Sequence, residues 1–335
     1  MLTTTQYDYL KSDLVLPGVW DTIAKESPII QRLPFLDINN DIVKYDVELT
    51  MPTISWLGAS DNIPENTGTF EQRTTDIFKA GGDAYTSKSK ISTNPTQNVE
   101  AIDITAKAKA MAYGVETVFI LGQTTTLGTT TQPKGIARMT AEMESSTTTD
   151  LDGLHNSQVV DGTFGSDGAS GALTMKAMDR LVNSIRPGKP DMILMSRLAH
   201  EKLSALQRAS GGGVIMIDLK DFGLEVPSYA GIPIFICDFI PDNIQDGASS
   251  VLTIASYNPD LYPTTRPSGY DNTIIFALKA STEDTCGLQV GGMRHERDEF
   301  NANKDVITNR FIWLISFMCK KKYSLATLIN INPDT

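Results

Sequence analysis

Three histidines, His155, His200 and His295, are the first residues to weigh for chemistry, and each stands apart from the others. His155 lies in a polar loop. His200 falls on the outer face of a helix that begins after Ser196. His295 sits in the run MRHERDEF beside Glu296, Asp298 and Glu299, the best foothold in the chain for a metal or an acid–base pair. Its spacing matches no metal-ligand pattern with a known mechanism, and the plain reading is a solvated charged turn between two strands. The glycine run SGGGV, 210–214, follows a helix and precedes an apolar stretch. A phosphate loop needs G-x-x-x-x-G-K-S/T between a strand and a helix, so this run reads as a helix stop and a flexible connection. Neither a G-x-S-x-G elbow nor an H-E-x-x-H zinc motif occurs. Cys237, Cys286 and Cys319 are odd in number, widely spaced and set in apolar stretches. They read as small hydrophobes in a reducing compartment, not as a metal or redox pair. The methionines at 175, 178, 192 and 195 read as core. The sequence therefore predicts no catalytic residue, no metal ligand, no cofactor and no enzyme.

The elements that would position such residues are well defined. Residues 1 to about 40 are punctuated by Pro17, Pro28 and Pro34 and read as an arm, with DTIAKES a short helix within it. From Ile42 the apolar residues Val43, Tyr45, Val47, Leu49 and Met51 alternate strictly with Lys44, Asp46, Glu48 and Thr50, the period of a strand covered on one face. The stretch FEQRTTDIFKAGGDAYTSKSKIS reads as a return limb across the turn-rich TISWLGASDNIPENTGT, giving a two-stranded ribbon over 42–92. Such a ribbon is marginal by itself and must lie on something else, here another subunit. Ile104, Ala108, Met111, Val115 and Val118 mark one face of a helix over 98–122, with Asn98 or Thr96 as its cap and Gly122 as its stop. After Thr/Ser/Gly-rich loops the chain becomes regular again. TMKAMDRLVNSI is a helix, PDMILMS a strand, and Ser196 the cap of the helix RLAHEKLSALQRAS. GIPIFICDFI, SVLTIAS, NTIIFALK and TCGLQV follow as strands, and RFIWLISFMCKKKYSLATLININ closes the chain as two strands joined across the lysines.

Composition narrows the function classes. The chain has 335 residues, enough for one large domain or two joined ones without a disulfide staple. Its net charge is −11, with basic residues scattered apart from Lys320 to Lys322. That argues against sequence-specific nucleic-acid binding but not against a surface that faces nucleic acid without gripping it. The start of the chain has no secretory signal pattern. The longest strongly apolar run, FIWLISFMC, is far short of the ~20 residues of a spanning helix. Arms, a long helix and well-made strands without a convergent polar site point to a protein whose function is its contacts.

The order of four stretches carries a resemblance. VETVFILG followed by QPKGIARM is similar to the D-x-A-F-I-x-G … Q-P-x-G-I stretch of tailed-bacteriophage major capsid proteins, with Glu116 in place of the usual Asp. YAGIPIFICDFIPD resembles the family's G-x-P-V-x-x-S-x-x-x-P strand, with Cys237 and Asp238 in place of small polar residues. RFIWLISFMCKKKYSLATLINI resembles its closing strand pair. The order agrees from about residue 42 to 331.

The resemblance implies an α+β fold of the Hong Kong 97 capsid type. Its expected parts are an N-terminal arm (1–41), an extended β-hairpin loop (42–92) and a peripheral subdomain (93–173 and 291–335) with a spine helix over 98–122. An axial subdomain (174–290) with a central mixed sheet and flanking helices completes it. The implied function is a structural subunit of an icosahedral phage head, assembling into pentamers and hexamers around double-stranded DNA. The strand at Gly231 would fix the axial subdomain, so that its loops meet their copies at one angle. Implied partners are copies of itself, a separate scaffolding protein (which the initial Met1 favours), a portal and a decoration protein, with no membrane. The implied location is the virion, assembled in the host cytoplasm. Trp56, Phe70, Arg73, Phe78 and Lys79 are the expected inter-subunit contacts, the aromatics having packing within the ribbon as their alternative. An isopeptide crosslink from Lys79, Lys88 or Lys90 is conceivable in such a shell, but solubilising charge on a ribbon edge is preferred. Rival readings are an encapsulin-type compartment and, in a different class, a soluble α+β enzyme with a site near His295.

Overall fold

The computed structural model describes residues 27–50, 52–59, 61–93, 98–123, 131–144, 158–162, 171–209, 215–219, 224–242, 273–299 and 304–332. The helix at DTIAKES, the strand at SVLTIAS, His155 and the glycine run at 210–214 lie outside them, Ser27 excepted.

In chain order, the helices are α1 (Pro28–Arg32), α2 (Lys88–Thr93), α3 (Val99–Leu121), α4 (Ile136–Glu144), α5 (Met175–Ser184) and α6 (Arg197–Ala209). The strands are β1 (Phe35–Asp37), β2 (Ile42–Thr50), β3 (Thr69–Asp76), β4 (Phe78–Ser87), β5 (Val159–Asp161), β6 (Gly171–Ala172) and β7 (Met192–Met195). They continue as β8 (Ile215–Leu219), β9 (Leu224–Tyr229), β10 (Ile232–Ile236), β11 (Thr273–Leu278), β12 (Thr285–Asp298), β13 (Val306–Cys319) and β14 (Leu325–Asn332). They form three sheets: an eight-stranded one ordered β5-β14-β11-β7-β10-β9-β8 with β6 beside β14, a four-stranded one ordered β1-β12-β13-β4, and the pair β2-β3.

The eight-stranded sheet explains the unbroken apolar runs. All four residues of β7 and all six of β11 are buried. Met192, Leu194, Phe276 and Leu278 face one cluster with Phe119, Ile120 and Phe317. Ile193, Met195, Ile275 and Ala277 face another with Met178 and Leu181 of α5 and Leu203 of α6. A sheet covered on both faces needs apolar residues at every position, so alternation disappears. β10 joins it parallel to β7, entering from a two-residue turn at Ala230 and Gly231, where Gly231 has φ 85°. Pro233, at the start of β10, pairs with Ser228.

Of the caps read from the sequence, Asn98 and Ser196 are in place, and Thr174 adds a third that the spacing alone does not name. Asn98 Oδ1 accepts from Ala101 N at 3.2 Å, Thr174 Oγ1 from Ala177 N at 3.2 Å and Ser196 Oγ from Ala199 N at 3.2 Å. α3 spans 23 residues, about 34 Å. Its buried face is Ala108, Ala112, Val115, Glu116 and Phe119. Ile104, Met111 and Val118 are only partly covered. No described helix is long and apolar enough to cross a membrane.

Three pairings differ from the sequence reading. The ribbon is confined to 42–76, because the return limb divides at Ile77. Thr69–Asp76 pairs with β2, while Phe78–Ser87 turns onto β13. The long apolar β13 otherwise leaves a row of unpaired backbone groups, and β4 satisfies them. The strand at TCGLQV does not end near 290. It passes a bulge between Gln289 and Met293 and runs to Asp298 against β13. The two closing strands do not share a sheet: β13 lies in the four-stranded sheet and β14 pairs with β11. Leu325, Ala326, Leu328 and Ile331 are fully buried, facing opposite clusters, which only the doubly covered sheet provides.

The motif QPKGI has a steric basis. Gly135 N donates to Gly122 O at 2.9 Å. A Cβ on Gly135 would lie 2.5 Å from Gly122 N and 2.7 Å from Ile120 O, whereas one on Gly114 meets nothing within 4 Å. We expect Gly135→Ala to cost about 3 kcal/mol through backbone displacement. Gly114→Ala should add ~0.5–1 kcal/mol through helix propensity. Urea denaturation of the unassembled subunit measures both, and equal effects would refute this steric account.

Candidate functional site

Of the five expected contact residues, the ribbon carries three. Its nine-residue β2 reaches about 30 Å at ~3.4 Å per residue, and the loop 52–68 extends it further. The root of the ribbon is anchored, since Val43, Tyr45 and Ile77 pack on Cys286, Leu288 and Met318 of the four-stranded sheet. The tip is not. Ile54 is 89% exposed, Trp56 98%, Ile63 85% and Phe70 69%. The loop keeps its own shape: Asp61 Oδ2 accepts from Gly58 N at 2.7 Å, and Asn66 Nδ2 donates to Thr53 Oγ1 across it. Arg73 is largely covered, pairing with Glu71 at 3.3 Å. Phe78 and Lys79 lie instead in β4, opposite Ile315 and Leu314 of β13. The loop thus displays its apolar side chains to solvent.

The region of His295 is a clamp. It lies within β12, not in the turn the sequence suggested. Its ring stacks on Phe311 with centroids 4.8 Å apart. Asn309 Nδ2 donates to Glu100 Oε1 at 3.0 Å, which leaves Asn309 Oδ1 as the acceptor for His295 Nε2–H at 3.0 Å. Arg297 grips the same carboxylate through Nε at 2.7 Å and a second nitrogen at 3.2 Å, and also pairs with Glu299. These bonds from Arg297 hold the Glu100 carboxyl below its usual range. The network ties the start of α3 to the β12–β13 hairpin. Among the described residues no group of His, Cys, Asp and Glu is placed to hold a metal.

A second polar junction was not legible as such. Glu116 of α3 is 4% exposed. Its Oε1 accepts from the Cys237 thiol, beyond β10, at 3.1 Å. Burial raises the Glu116 carboxyl above the ordinary 4.5, with bonds from Cys237 and Ser27 opposing and the charge of Asp238 reinforcing the shift. Ser27 also caps α1, so one carboxyl joins the arm, the long helix and the eight-stranded sheet. The same burial raises the Cys237 thiol, and Cys286 is pushed up to about 11, so neither is a poised nucleophile. The sequence signal was Glu116 itself, an acid within the apolar run VETVFIL.

Comparison with known proteins follows this geometry. A family model described as the phage capsid family matches residues 10–266. No curated protein matches the chain. Among solved structures, the capsid of an empty GTA particle aligns with TM-score 0.61 at 12% identity, over 91% of this chain and 90% of that one. The holo-SrpI encapsulin complex from Synechococcus elongatus aligns with TM-score 0.60 at 12% identity, over 92% and 88%. Mycobacterium phage Bobi aligns with TM-score 0.55 at 11% identity, over 90% and 90%. At such identities the likeness is one of fold, the Hong Kong 97 shell fold.

The junction has a pH signature. The folded Glu116 holds its proton above the pH at which the unfolded chain releases it. Its stabilising contribution is therefore full in acid and declines as pH rises through the folded value. Glu116→Gln removes that decline. Relative to the parent, its stability should be unchanged in acid and should climb as pH rises above the ordinary carboxylate range. Thermal melts across pH measure this, and parallel profiles would contradict it.

Proposed function

The chain belongs to the phage capsid family and is a structural shell subunit of the virion, and we propose that it closes as pentamers and hexamers around double-stranded DNA. The ribbon supports this reading most directly, because its apolar tip has no partner within the described chain. Such contacts between unlike surfaces propagate from copy to copy and close into rings. The four-stranded sheet with α3 would form the peripheral part, and the eight-stranded sheet with α5 and α6 the axial part. β14 enters the axial sheet from the chain's end, so the two parts share their closing strands. Net charge −11 suits a container that holds DNA without gripping it. A separate scaffolding protein, a portal and a decoration protein, with assembly in the host cytoplasm, complete the proposal.

The likeness to the SrpI encapsulin gives a second reading, in which the same shell encloses protein. Nuclease-protected DNA within purified particles separates the two. An enzyme near His295 is disfavoured because its ring is stacked and hydrogen-bonded within the clamp.

Purified chain should form closed shells in negative stain. Replacing Ile54, Trp56 and Ile63 by Ser should abolish them while leaving the melting temperature of the subunit unchanged, since these side chains are 85% or more exposed. A compact small oligomer from the parent chain would refute the proposal.

A further inference from the structure

One end of the eight-stranded sheet gathers the run of three lysines at 320–322 with other basic residues. Leu278 of β11 pairs with Met192 of β7 on one side and with Leu325 of β14 on the other, so residues 185–191, 279–284 and 320–324 emerge together. Hydrogen bonds fasten these stretches to one another. Lys279 N donates to Ser324 O at 2.8 Å, Arg186 N to Tyr323 O at 3.1 Å and Ala280 N to Asp191 Oδ2 at 3.0 Å. Together they carry Arg186, Lys189, Lys279, Lys320, Lys321 and Lys322 against Asp191, Glu283 and Asp284. This is a local excess of positive charge in a chain whose net charge is −11.

Three of these ammonium groups are held in place without being neutralised. Lys189 Nζ donates to Ala230 O at 3.0 Å, in the turn before β10. Lys320 Nζ donates to Thr282 O at 2.9 Å, and Lys279 Nζ donates to Pro187 O. A carbonyl fixes the side chain but brings no net charge, and none of the three has a carboxylate partner among the described residues. Lys321, by contrast, pairs with Asp284 at 3.3 Å and Glu283 at 3.7 Å. Side chains already restrained lose less freedom when an anion arrives.

We propose that this end of the sheet faces the enclosed double-stranded DNA and that Lys189, Lys279 and Lys320 touch its phosphates. The composition of the patch favours a polyanion over a second protein surface. Protein interfaces are enriched in aromatics and depleted in lysine. Here five of the six cations are lysines, and none of the exposed large apolar residues of the described chain lies in these three stretches. Lysine meets a phosphate as a hydrated point charge without a fixed fork, so the contact carries no sequence preference and yields to salt. A few such contacts per copy let the DNA move along the wall, which agrees with a shell that does not grip its contents. This assignment rests on the shell reading above and specifies which surface meets the DNA.

Fluorescence anisotropy of a labelled 30-base-pair duplex, titrated with the unassembled subunit, tests this. Three phosphate contacts predict an affinity that falls roughly 20-fold between 50 and 150 mM salt, alike for duplexes of unrelated sequence. The triple variant Lys189→Gln, Lys279→Gln, Lys320→Gln keeps a donor for each carbonyl and removes the charges. It should bind about tenfold more weakly or worse and show a flatter salt dependence. The triple Lys→Arg variant at the same positions should stay within about threefold of the parent. Lys107→Gln, Lys176→Gln, Lys202→Gln makes the same change in net charge outside the patch and should also stay within about threefold. Equal losses from the two glutamine triples, or no binding by the parent at 50 mM salt, would overturn the assignment. So would a raised threshold for shell assembly by the patch triple in DNA-free buffer, which would give the lysines to carboxylates of a neighbouring copy. Each of these outcomes leaves the shell reading standing, whereas a parent chain that forms no shells would overturn both.

Discussion

A two-stranded ribbon has two faces and no interior. Whatever apolar residues it carries beyond its root must be covered by something that is not the ribbon. Here Ile54, Trp56, Ile63 and Phe70 lie beyond the point where Val43, Tyr45 and Ile77 fasten it to the four-stranded sheet. The rest of the structure meets that constraint with a body firm enough to aim the ribbon.

The firmness comes from central strands with no solvent face. Its central strands are buried on both sides, so β7, β10 and β11 cannot slide in register without exposing an apolar row. α3 is held at two polar points, to the β12–β13 hairpin through Glu100 near its start and to Cys237 beyond β10 through Glu116 near its end, with Phe119 edge-on to Phe317 of β13. Residues at a buried polar point must satisfy one another or lose desolvation energy, which makes such points specific. In the sequence, His295 is the best foothold for catalysis. The structure spends it on holding a helix in place.

Local periodicity made much of this legible. The 23-residue helix with its Asn98 cap, the alternating β2, the Ser196 cap and the doubly apolar β7 and β10 follow from residue types and spacing. Partner choice did not follow. Thr69–Ser87 reads as one limb, yet half pairs with β2 and half with β13, a decision made by an edge more than 200 residues away in the chain. β14 left the sheet of its neighbour for the same long-range reason. The candidate site divided likewise. Trp56 and Phe70 are legible as aromatics of the ribbon, whereas Gly82 making room for Lys107 is a meeting of two elements that no spacing reveals. Glu116 was visible as an acid in an apolar run, but its burial needed Cys237 and Ser27 to be brought beside it.

The central claim is that the ribbon tip finds its cover only in another copy. Amide hydrogen exchange on the segment 52–68, compared between unassembled subunits and purified particles, tests it most directly. The account expects rapid exchange in the subunit and strong protection in the particle, with β7 and β11 equally slow in both. A tip already protected in the lone subunit, or still exchanging freely in the particle, would contradict it.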